Sequence, residues 1–77
     1  MNTAIAPPFA PSIAITINQK PHNVAEGATV ADALVAIAAK PPFAVAVNTI
    51  FVLGSRHAQH LLHTGDRVEV ISPVTGG

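Results

Sequence analysis

Residues 26–42 read EGATVADALVAIAAKPP, and the rest of the chain is best understood outward from them. Gly27 interrupts whatever precedes it. Thr29 supplies an N-cap oxygen, and Asp32, three residues on, completes a capping-box pattern with Asp in place of the usual Glu. The Asp32 charge also suits the positive end of a helix dipole. Val30, Leu34 and Ile37 then recur at helical spacing, with Ala33 and Ala38 beside them. Pro41 and Pro42 end the run, because proline disfavours helix at the residue before it. The spacing predicts one amphipathic helix over 30–39. A helix with a single apolar stripe needs another layer to bury it against.

The flanking segments offer that layer as strands. Upstream, Ile13, Ile15 and Ile17 alternate with Ala14, Thr16 and Asn18, the period of a half-buried strand. Asn18-Gln19-Lys20-Pro21 carries turn residues, and a second short strand around His22–Ala25 completes a hairpin. Downstream, Phe43–Val47 is rich in β-branched residues. Asn48-Thr49 is a turn, Ile50–Leu53 a short apolar strand, and Gly54-Ser55 a break. Residues 56–63 read as a short helical turn or loop with Leu61 and Leu62 as core anchors. Gly65-Asp66 turns into a last strand, Arg67–Ser72, and Pro73 stops the pairing. The order is strand, strand, helix, strand, short strand, strand. One helix lying across one sheet is the economical packing, so the expected class is α+β. A hairpin followed by a crossover helix and more strands is the β-grasp (ubiquitin-like) arrangement, with a mixed sheet of four to five strands. The expected core joins Ile13, Ile15, Ile17, Val30, Leu34, Ile37, Val45, Val47, Leu61, Leu62, Val68 and Val70.

Composition narrows the function classes. The 77 residues make one domain at most. Without cysteine there is no disulfide, no thiolate metal site and no thiol nucleophile. Lys20, Lys40, Arg56 and Arg67 balance Glu26, Asp32, Asp66 and Glu69 to a net charge of +0. With no basic excess and no Trp or Tyr, the chain has no nucleic-acid footprint. No stretch is long and apolar enough to span a bilayer. Residues 1–11 lack a charged n-region and are broken by Pro7, Pro8 and Pro11, unlike a signal peptide. They are expected to form a flexible extension of a domain over 12–73, with a cytoplasmic location as the default. Only 10% of the residues are charged, against 49% hydrophobic, so some apolar surface is expected to stay exposed as a partner site. Its place is the sheet face away from the helix. There Arg67, Glu69 and Ile71 point opposite to Val68 and Val70, joined by Ala44, Ala46 and Phe51. Phe51, Arg67, Glu69 and Ile71 are the candidate docking residues.

The chain closes Val74-Thr75-Gly76-Gly77, and 74–77 is expected to be a flexible tail. Gly76 and Gly77 have no side chains and few backbone limits, so such a tail can thread a narrow channel and present an unhindered carboxylate. A carboxylate is a poor electrophile until adenylation supplies a leaving group. No nucleophile–base pair is evident elsewhere, which fits a carrier better than an enzyme. His57, His60 and His63 recur every third residue. A structural zinc site normally takes four protein ligands, and only Asp66 is near enough to add one, so no metal site is assigned. These histidines are expected to be exposed polar residues on a short turn.

Over residues 12–77 the sequence resembles the ThiS family of sulfur carriers of thiamin biosynthesis. The likeness rests on Ile15-Thr16-Ile17-Asn18, Gly27-Ala28-Thr29-Val30, Val45-Ala46-Val47-Asn48, and Gly65-Asp66-Arg67-Val68-Glu69-Val70 running on to Gly76-Gly77. No one piece is specific; their order and spacing carry the resemblance. The tail 72–77 is also similar to that of MoaD, the sulfur carrier for molybdopterin, whose relatives tend to be longer before and through the helix. The resemblance implies that the carrier catalyses nothing and binds no cofactor. An E1-like enzyme would use ATP to adenylate the Gly77 carboxylate, and a persulfide donor would convert it to a thiocarboxylate. Thiazole synthase would then take the sulfur. A MoaD-like carrier, a ubiquitin-like protein modifier, which would join its activated terminus to lysine, and a plain β-grasp interaction module with inert glycines remain the alternatives at this point.

Overall fold

The helix begins where its capping pattern places it. In the computed structural model, which describes residues 11–72, the elements are β1 (Ser12–Ile17), β2 (Lys20–Ala25), α1 (Val30–Ala36), β3 (Ala44–Val47), β4 (Ile50–Val52), a 3₁₀ turn (Gly54–Arg56) and β5 (Arg67–Ile71). The Asp32 N–H donates to Thr29 Oγ1, and the Thr29 N–H donates to Asp32 Oδ2 at 2.9 Å. Two further orphan donors of the first turn are met from across the fold. Val30 N–H donates to His60 O at 3.0 Å and Ala31 N–H to His57 O at 2.9 Å. The segment after β4 is thereby tied to the start of the helix, and no first-turn amide lacks a partner.

The helix is shorter than the spacing predicts. It stops at Ala36, with Ile37 as C-cap. Ala38 takes a left-handed conformation, φ 54°. Its N–H donates to Val35 O, and that of Ala39 donates to Leu34 O, both at 3.0 Å. This is a Schellman closure with alanine where glycine is usual. The chain has therefore turned before it reaches Pro41 and Pro42.

The sheet has five strands in the order β2-β1-β5-β3-β4. β1 and β5 run parallel; β1–β2, β3–β4 and β3–β5 run antiparallel. The helix is the crossover that makes the central pair parallel. Beyond the first strand, Glu26 N–H donates to Pro11 O at 3.3 Å. Apolar side chains of the sheet and helix meet between the layers: Ile13, Ile15, Ile17, Val45, Val47, Val52 and Val68 from the sheet, Val30, Ala33 and Leu34 from the helix, and Leu62 from the loop. Ile37 and Val70 are half-buried against this cluster. This mixed sheet with one helix across it is the β-grasp arrangement expected from the order of elements.

Leu61 corrects the expected core: it is 51% exposed, whereas Leu62 is 3% exposed. Leu61 pairs with Thr29 in an isolated bridge, and Leu62 N–H donates to Ala28 O at 2.9 Å. The backbone there is extended, so neighbouring side chains point to opposite sides and only one of the two can enter the core. The boundaries at Ser12 and Pro73, the flexible extension and the tail with Gly76 and Gly77 involve residues 1–10 and 73–77, which lie outside the described residues.

Candidate functional site

The site is built on β5, the central strand and the one that leads to the carboxyl end. Two asparagines hold it. Asn18 (φ 51°) with Gln19 (φ 71°), and Asn48 (φ 53°) with Thr49 (φ 72°), form the two hairpin turns, all four in the left-handed region. Two-residue hairpins of this shape favour asparagine at the first position, because its side chain tolerates positive φ. Each asparagine then reaches β5 from its own side. Asn18 N–H donates to Val68 O at 2.8 Å, and its Oδ1 accepts from Val70 N–H at 2.8 Å. Asn48 N–H donates to Arg67 O at 2.8 Å, and its Oδ1 accepts from Arg67 N–H at 2.9 Å. Asn48 Nδ2 also donates to Asp66 Oδ1 at 2.9 Å, while Asp66 Oδ2 accepts from His63 N–H at 2.8 Å. The turns of both hairpins thus clamp one strand.

The face of β5 away from the helix carries the candidate docking residues. Glu69 pairs with Ala46, and Ala46 with Phe51, so these three share a cross-strand row. Ile71 pairs with Ala44 in the next row, and Arg67 with Thr16 on the other flank. Side chains two apart along a strand share a face, which puts Phe51, Arg67, Glu69 and Ile71 together on the open side. Phe51 is 59% and Ile71 58% exposed, and the alanines between them leave a low apolar floor flanked by one cation and one anion. Such a surface holds apolar area in contact with water, and removing that area from water favours covering by a partner. Ile71 is the last residue of β5.

The asparagine clamp was not legible as function: both residues read as turn formers, and their 18- and 48-to-β5 contacts cross the chain. The histidines also differ from expectation. His57 is half-buried; its Nε2 lies 3.1 Å from Val52 O, and its ring stacks on Phe43 with centroids 6.0 Å apart. It fastens the 3₁₀ turn to the end of β4 instead of standing in solvent. His60 is half-buried and His63 exposed. Among the described residues no group of His, Cys, Asp and Glu is placed to hold a metal ion, and no helix is long and apolar enough to cross a membrane.

Comparison with known proteins agrees with this architecture. Residues 9–77 match the ThiS family. The chain is similar to the crystal structure of the thiamine biosynthesis protein (ThiS) from Geobacter metallireducens, with a TM-score of 0.71 and 26% sequence identity over 84% of this chain and 100% of that one. None of the curated proteins matches in sequence.

Proposed function

The chain belongs to the ThiS family, and on that premise we propose that it is a sulfur carrier of thiamin biosynthesis working through the carboxylate of Gly77. The observation that carries this reading is the family match, which runs from residue 9 through Gly76-Gly77. In the proposed cycle the Gly77 carboxylate attacks the α-phosphorus of ATP on an E1-like enzyme, releasing pyrophosphate and leaving an acyl adenylate. The terminal sulfur of a persulfide attacks the acyl carbon and displaces AMP. A second thiol then cleaves the S–S bond, keeping the donor sulfur in a disulfide and freeing the thiocarboxylate. That group is a better nucleophile than the carboxylate, and on thiazole synthase it gives up its sulfur.

The protein's own contribution is presentation. Glycine at 76 and 77 lets the chain end approach a reacting phosphate without a side chain in the way. The clamped β5 fixes where residues 72–77 start. The open face with Phe51, Arg67, Glu69 and Ile71 is the proposed docking surface for the activating enzyme and then for the synthase. Its modest apolar area suits two successive transient encounters better than one permanent complex. ATP is a co-substrate of the activating enzyme and is not held by this chain.

The adenylation step tests the reading. With a cognate E1-like enzyme, the chain is expected to support exchange of labelled pyrophosphate into ATP, and deletion of Gly77 to abolish it with the circular dichroism spectrum unchanged. Exchange that persists without Gly77 would place the activated group elsewhere and overturn the proposal.

A further inference from the structure

The outer edge of β4 is where free backbone groups and exposed apolar side chains coincide outside the open face. The register decides which backbone groups are free. Asn48 N–H bonds to Arg67 O, and alternation along β3 then turns the polar groups of Ala46 toward β5. Ala46 pairs with Phe51, so this pair exchanges no hydrogen bonds, and Phe51 N–H and C=O point outward from the sheet edge. Around them Ile50 is 69% and Leu53 56% exposed.

This edge is one wall of a cleft of about 380 Å³, running along Ile50–Leu53 and closed on the other side by Arg56, Gln59 and His60. The second wall is held in place. His57 O and His60 O accept the first helical amides, and the His57 ring bonds to Val52 O. The cleft is therefore formed in advance of any occupant. Its charge has one sign: Arg56 lines it, and no carboxylate does.

We propose that the β4 edge receives an extended, acidic segment of a partner protein as an added strand. Phe51 N–H and C=O would pair with one residue of that segment. Because side chains alternate, apolar residues on the open side would lie beside Phe51 and carboxylates on the other side would face Arg56. A second copy of this chain fits less well, since β4 against β4 would bring two Arg56 rims together with no carboxylate in either cleft. The inference is independent of the carrier chemistry, because neither Gly76 nor Gly77 takes part.

The test is amide shift mapping on the ¹⁵N-labelled chain with two synthetic probes, acetyl-Val-Glu-Val-Glu-Val-amide and its lysine counterpart. The acidic peptide should shift Phe51, Leu53, Arg56, Gln59 and His60, and the lysine peptide should bind about tenfold more weakly. Arg56→Glu, at an exposed position, should reverse that preference. Phe51→Pro removes the outward N–H without touching the β3 ladder, which an edge strand tolerates, and should weaken both peptides. Equal binding of the two peptides, or shifts centred on Ala44, Glu69 and Ile71, would overturn the proposal. Shifts of the same amides with protein concentration alone would also overturn it, because the occupant would then be a second copy.

Discussion

Replacing Asn48 tests whether the central strand is held as described. Asn48 does two separable things: it adopts φ 53° in the turn, and its side chain bonds to Arg67 N–H and Asp66 Oδ1, each at 2.9 Å. Asn48→Gly keeps the backbone conformation at no steric cost and removes both side-chain bonds. Those bonds are exposed, so each contributes about 0.5–1 kcal/mol, and Asn48→Gly should cost about 1–2 kcal/mol. Asn48→Ala loses the same bonds and adds roughly 1 kcal/mol for alanine in the left-handed region. For a domain of this size about 1 kcal/mol moves the melting temperature by roughly 4–8 °C. Thermal unfolding followed by circular dichroism should therefore order the proteins wild type, Asn48→Gly, Asn48→Ala, with the two steps resolved. Asn18→Gly, which loses only the bond to Val70 N–H, should fall between wild type and Asn48→Gly. If Asn48→Gly melts with wild type, the side chain does not hold β5. If it melts with Asn48→Ala, positive φ is not what the position demands.

Two further stability predictions address the helix. Leu34 is 7% exposed within the core cluster, so Leu34→Ala should cost about 2–5 kcal/mol; an unchanged urea midpoint would mean that the wrong helix face has been assigned to the core. Ala38→Gly should stabilise the protein by about 0.5–1 kcal/mol, because glycine relieves the left-handed strain at φ 54° in the Schellman closure. A lower melting temperature in that variant would show that the closure is not the structure in solution.

The elements were legible where a local pattern and a tertiary need coincide. Alternating Ile13, Ile15 and Ile17 and the Val68–Val70 alternation each state a period and a face, and each face is the one turned to the core; the Thr29–Asp32 capping box states where the helix begins. The helix end was misplaced because Ala38 gives no sign that it will adopt positive φ; glycine there would have marked the stop. Leu61 and Leu62 are indistinguishable by hydropathy, and only the extended backbone beside Ala28 and Thr29 separates them. The docking residues could be placed on one face because parity along a strand is enough for that. The two asparagine clamps could not be read in advance, since they join positions 18 and 70, and 48 and 67. His57 was hidden for the same reason: its partners, Val52 O and the Phe43 ring, are set by how the 3₁₀ turn folds back.

The central claim, sulfur carried on Gly77, is tested most directly by intact-mass spectrometry. The chain is incubated with a cognate E1-like enzyme, ATP and a persulfide donor, and the product is then fragmented. The account predicts a mass gain equal to the replacement of one oxygen by sulfur, located at Gly77, and its reversal when thiazole synthase and its substrates are added. A higher-mass adduct joined through lysine would contradict the account in favour of a protein modifier, and an unchanged mass at Gly77 would contradict it outright.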